Sequence, residues 1–114
     1  MEKIKVKLEI NGYTIKDIGI LDNSIISIKE KDISLTYDIK NNILTRENKE
    51  MKQTINYKEE CFKYLLKDIK KEFSQKFKVL SLTNKDKKVN IIYQIEDSVF
   101  NLNLKYETKD QNNI

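Results

Sequence analysis

The chain contains no alanine, histidine, proline or tryptophan, only two glycines and one cysteine, and a single arginine, Arg46. Without histidine the usual general base near neutral pH is missing. With Cys61 alone, neither an internal disulfide nor a Cys/His zinc set can form. Gly12 and Gly19 are isolated, so no glycine-rich phosphate loop exists. No apolar run approaches the roughly 18–20 residues of a membrane helix. The opening MEKIKVKLEI alternates lysine with apolar residues, unlike the unbroken apolar core of a signal peptide. Together these absences point to a cytoplasmic protein that is not an enzyme, holds no cofactor or metal, and does not engage a membrane.

Lysine, isoleucine and asparagine fill the gaps. The codons of alanine, glycine, proline and most arginines are GC-rich, so the composition points to an AT-rich genome. That bias discounts the lysine excess as a functional signal. At 114 residues, with 39% hydrophobic and 35% charged residues, the chain fits one folded domain. Residues 1–108 are expected to form it, with 109–114 as a frayed tail.

Residues 3–10 alternate strictly, Ile4, Val6, Leu8 and Ile10 against Lys3, Lys5, Lys7 and Glu9, which is the pattern of a half-buried strand. Asn11-Gly12 is a hairpin signal. The return strand from Tyr13 to about Ile20 switches parity between Ile15 and Ile18, which suggests a bulge at Lys16-Asp17. Further short strands follow around Ile26–Ile28, Ile33–Tyr37, Ile43–Thr45 and Met51–Ile55. Later come Val89–Ile95 and a partner beginning near Val99, all joined by tight turns.

Between them lies NYKEECFKYLLKDIKKEFSQKFKVL, residues 56–80. Asn56 with Glu59 resembles a capping box. Phe62, Leu65, Leu66, Ile69, Phe73, Phe77 and Leu80 recur at spacings of three and four, which predicts a helix from Tyr57. The expected fold class is therefore α+β. It consists of an antiparallel sheet of about seven to nine short strands, curled or barrel-like, with one long amphipathic helix packed on it.

Residues 57–80 carry seven basic and four acidic groups, so most of the net charge of +4 falls on this segment. On a helix, Lys63, Lys67, Lys70, Lys71 and Lys78 would share the face opposite the apolar stripe. That face reads either as ordinary solvated surface or as a docking patch. A protein partner is favoured over nucleic acid, because arginine is nearly absent and the aromatics lie on the apolar stripe. The first functional reading is a non-catalytic protein-binding module. Its most concrete form is a phage- or mobile-element-encoded inhibitor of a CRISPR-type defence nuclease.

Two alternatives remain open. Tyr13, Tyr37, Tyr93 and Tyr106 fall on inward strand positions and would line a pocket for a small apolar ligand. Asp38 with Glu50 and Lys52 resembles the acid-plus-lysine pattern of metal-dependent nucleases. Oligomeric state is open on either reading.

Arg46 and Met51 in LTRENKEM, then Tyr64, then Tyr93 in VNIIYQIE and Tyr106 in LNLKYE, resemble a bacterial family of small calycin-type (lipocalin-like) β-barrels. The resemblance spans roughly the last two-thirds of the chain and implies a barrel of about eight to ten strands. That family carries strands where residues 57–80 read here as helix.

Overall fold

The computed structural model describes residues 1–108; the expected frayed tail lies outside them. These residues form eleven strands: β1 (Glu2–Ile10), β2 (Tyr13–Asp22), β3 (Ile25–Glu30), β4 (Ile33–Asp38), β5 (Ile43–Glu47), β6 (Met51–Asn56), β7 (Cys61–Leu66), β8 (Lys71–Lys76), β9 (Lys78–Lys85), β10 (Lys88–Ile95) and β11 (Ser98–Thr108). All pair antiparallel in one sheet, in the order β8-β7-β6-β5-β4-β3-β2-β1-β11-β10-β9. The sheet curls into a nearly closed barrel, the shape that the calycin resemblance implies.

The α+β expectation is overturned, because no helix exists among the described residues. The segment 57–80 forms a turn over 57–60, the β7–β8 hairpin and the start of β9. The cap signal was locally sound, since the Asn56 carboxamide oxygen accepts the N–H groups of Lys58 and Glu59 at 3.1 and 2.9 Å. The bonds close a turn over 57–60 rather than a first helical turn. Asp38 and Asn48 act alike, accepting from Lys40 and Asn41 and from Glu50 and Met51. Beyond the turn, Phe62, Tyr64 and Leu66 alternate with Cys61, Lys63 and Leu65. Pairing with β6 decides the outcome over local helical periodicity.

The expected bulge at Lys16-Asp17 is also absent. The β1–β2 ladder runs unbroken from Glu2 opposite Leu21 to Ile10 opposite Tyr13. The parity switch arises because Ile18 and Ile20 point outward, 57% and 40% exposed. The β2–β3 ladder covers only Ile20–Asp22 against Ile25–Ser27, so the two strands splay beyond it. This corner needs Gly19, where a Cβ would stand 2.9 Å from the Ser27 carbonyl oxygen. It divides the sheet into a wall of β2, β1, β11, β10 and β9 and a wall of β3 to β8.

Between the walls lie Ile4, Val6, Leu8, Ile26, Leu44, Val89, Ile91, Leu102 and Leu104, all buried. At roughly 1.5–3 kcal/mol for each fully buried large apolar side chain, this core dominates the folding drive. Edge strands β8 and β9 are consecutive in the chain but do not ladder with each other. Turns seal the seam instead. The Glu60 carbonyl accepts the Phe77 N–H at 3.2 Å, and its carboxylate accepts the Val79 N–H at 2.8 Å. The Asn84 amide donates to the Ile39 carbonyl and the Asn42 side chain at 2.8 and 2.9 Å. An aromatic plug backs the seam. Tyr57 meets Tyr93 edge-on at 5.0 Å and Phe77 at 5.9 Å, and Tyr93 stacks on Phe100 at 5.4 Å.

Candidate functional site

Sequence reasoning placed five lysines on one helical face; without the helix they separate. Lys63 points outward from β7, and Lys78 opens β9 at the far edge of the sheet. Lys67 and Lys70 sit in the β7–β8 turn. Lys67 is engaged, 2.7 Å from the Glu47 carboxylate and 2.8 Å from the Asn48 carbonyl. That contact holds the Glu47 carboxyl below the usual carboxylate range. Lys71 begins β8 on its inner face, its ammonium 5.5 Å from the centre of the Phe73 ring.

The four tyrosines do not converge on one pocket either. Tyr37 is buried, its hydroxyl donating to Asn42 at 2.9 Å, and Tyr93 belongs to the aromatic plug. Tyr106 is half-buried, while Tyr13 is 59% exposed. Asp38 and Glu50 stand at opposite ends of the β4–β6 strands, and Asp38 is occupied with Lys40 and Asn41. The Asn41 amide is the chief cause of the lowered Asp38 pKa. Among the described residues no group of three or more His, Cys, Asp or Glu could hold a metal ion.

A different constellation is assembled. On the inner face of β5–β8, Arg46, Gln53, Tyr64 and Phe73 lie directly opposite one another on four successive strands. Phe62 stacks on Tyr64 at 6.4 Å with the rings 17° apart. Ile33, Arg46, Met51, Gln53 and Tyr64 frame a recess of about 160 Å³. On β7 the inner residues Phe62, Tyr64 and Leu66 are half-buried, and only β8 is left uncovered, with the Gln75 amide donating to the Glu96 carboxylate at 3.3 Å. Every residue of β8 is exposed, Phe73 at 47%, and the outer edge of the strand has no ladder partner. Sequence reasoning missed this face because it assigned Phe62 and Phe73 to a buried helical stripe. The resemblance touched Arg46, Met51 and Tyr64, which share the recess.

No helix of the described chain is long and apolar enough to cross a membrane. No family model, curated protein or solved structure matches the chain. The calycin likeness therefore extends to barrel shape alone, and nothing supports a phage-encoded or CRISPR-inhibiting role; that narrower expectation is withdrawn.

Proposed function

We propose that the protein is a non-catalytic binding module that captures an extended segment of another protein along β8. The observation carrying this reading is the aromatic face of the β7–β8 hairpin, half-buried on β7 and uncovered on β8, beside a free strand edge. A partner strand laid along Lys71–Lys76 takes up the unpaired backbone groups of the edge, and its alternate side chains rest on the aromatic face. The 160 Å³ recess beside Tyr64, lined by Arg46, Glu47, Asn48 and Gln53 as well as Ile33 and Met51, has room for one side chain with an apolar stem and a polar end. Arg46, Lys71 and Lys76 favour acidic neighbours in the captured segment. A second copy of β8 fits poorly, because centred antiparallel self-pairing sets Lys71 against Lys76 twice. Like charges directly opposite are destabilising.

The test is selection of random linear peptides on the immobilised protein, followed by titration and amide exchange with the selected sequence. Selected peptides are expected to alternate apolar and acidic residues and to protect amides 71–76. Phe73→Lys is expected to weaken binding by at least about tenfold, as loss of a central aromatic contact does. Protection confined to other strands, or affinity unchanged in Phe73→Lys, overturns the reading.

The second reading, a calycin-like carrier of a small apolar ligand, has the barrel shape in its favour. Sites for drug-sized ligands run to about 300–1,000 Å³; the recess beside Tyr64 falls short of that, and the groove of about 540 Å³ across β2, β1 and β11 lies on the outward side of the sheet.

A further inference from the structure

The outward positions of the other wall carry a charge pattern that no single stretch of sequence displays. Lys16 lies opposite Lys7, Lys7 opposite Lys105, Lys105 opposite Lys88, and Lys88 opposite Lys85. Five lysines thus form one continuous row across β2, β1, β11, β10 and β9, and all five are exposed. With strands about 4.8 Å apart, the row is roughly 19 Å long. Only Lys7 has an ion-pair partner among the described residues, Glu9 at 3.2 Å. The outward face of these strands holds eight lysines (Lys3, Lys5 and Lys78 besides the row) against Glu9, Asp22 and Glu107. That surplus of five exceeds the net charge of +4 of the whole chain.

Like charges directly opposite on neighbouring strands repel, and this wall repeats the arrangement four times. An anion laid along the row relieves it. Beside the lysines runs a second row in the same register, Thr14, Glu9, Asn103, Asn90 and Thr83. Between the two rows lies a groove of about 280 Å³. On the opposite flank lies a second groove of about 540 Å³, more apolar than the first, with Lys5, Ile18 and Glu107 along its far side and Val6 and Tyr106 at its floor. Lysine, threonine and asparagine side chains are the groups that hold nucleic-acid phosphates and position the backbone without reading bases. The outward positions of this wall present neither arginine nor aromatic rings, so base-edge pairing and stacking on single strands are not served.

We propose that the outer wall of β2, β1, β11, β10 and β9 binds the phosphate backbone of duplex DNA without sequence preference. This goes beyond the protein-binding reading and stands on the opposite wall, so either can fail while the other holds.

The test is fluorescence anisotropy of the full chain with two labelled duplexes of unrelated sequence, across a range of salt. Five phosphate contacts give a slope of log K against log salt of about −4.5, or roughly 500-fold weaker binding at 200 mM than at 50 mM. The two duplexes are expected to bind within about twofold of each other. Lys88→Gln with Lys105→Gln is expected to flatten the slope by about 1.8, while Lys52→Gln with Lys63→Gln on the other wall leaves it unchanged. Glu9→Gln, which removes the one carboxylate in the polar row, is expected to tighten binding. Thermal unfolding keeps the test sound, since relieving the row makes Lys88→Gln/Lys105→Gln melt no lower than the parent chain. No binding at 50 mM salt, a slope indifferent to Lys88 and Lys105, or equal affinity for single-stranded oligothymidine or polyglutamate overturns the proposal.

Discussion

Tyr57 shows what a single residue can hide. Its ring is 2% exposed at the centre of the aromatic plug, and its hydroxyl lies beside Tyr93 without a satisfying hydrogen bond. A buried polar group left without a partner costs roughly 1–3 kcal/mol. Tyr57→Phe is therefore expected to stabilise the fold by about 1 kcal/mol, read as a higher urea midpoint at unchanged slope. Tyr37→Phe gives up a made bond to Asn42, so it should destabilise the fold by about 0.5–1.5 kcal/mol, read as a lower urea midpoint. The inward facing of Tyr37 and Tyr93 was legible, because alternation in their strands is strict. Tyr57 was not legible, since Asn56 and Glu59 made it look like the first residue of a helix.

At the scale of elements, β9 escaped the sequence reading, while β1 to β6, β10 and β11 could be read from period-two alternation and the turn signals at Asn11-Gly12 and Lys40–Asn42. The β7–β8 hairpin could not, and its turns give the reason. The four-residue turns at 39–42, 57–60 and 67–70 each end on a left-handed residue, Asn42 (φ 56°), Glu60 (φ 56°) and Lys70 (φ 50°). Asparagine announces that conformation; glutamate and lysine do not. Glu60 is held there by the seam bonds to Phe77 and Val79. Lys70 has only its turn bond to the Lys67 carbonyl, at 3.3 Å. Lys70→Gly should relieve the strain and stabilise the fold by about 0.5–1 kcal/mol, measurable as a rise in melting temperature. A decrease would show that the lysine stem packs usefully in the turn.

Across the whole molecule, the charge pattern is what the sequence conceals. The largest local surplus falls in 57–80, yet its lysines scatter, while Lys7, Lys16, Lys85, Lys88 and Lys105 come from distant segments and align. Register creates that row, and no window of sequence contains it. Burial also sets the alkaline limit of the fold. Tyr37, Tyr57, Tyr93 and Tyr106 all have raised pKa values, with burial the leading cause. An unfolded tyrosine ionises near about pH 10, whereas the folded ones hold their protons above that. Their contribution is complete below about pH 10 and is lost as pH rises beyond it. The urea midpoint should stay level between about pH 7 and 9 and fall above 10, together with the appearance of tyrosinate absorbance. Tyrosinate appearing well before unfolding would mean that the plug admits water.

The strand order also governs how the chain reaches its fold. Nine of the ten ladders join strands consecutive in the chain; only β1 with β11 pairs residues about a hundred positions apart, Ile4 with Thr108. Hairpins close within microseconds, but a loop of that length carries a larger closure entropy. One edge of β1 therefore waits unpaired until β11 arrives, an apolar strand open to other chains in the meantime. Lys3, Lys5 and Lys7 stand at every second position along it, where charge guards a temporarily open edge against association. The same side chains that repel one another in the finished wall keep separate molecules apart while it is being built.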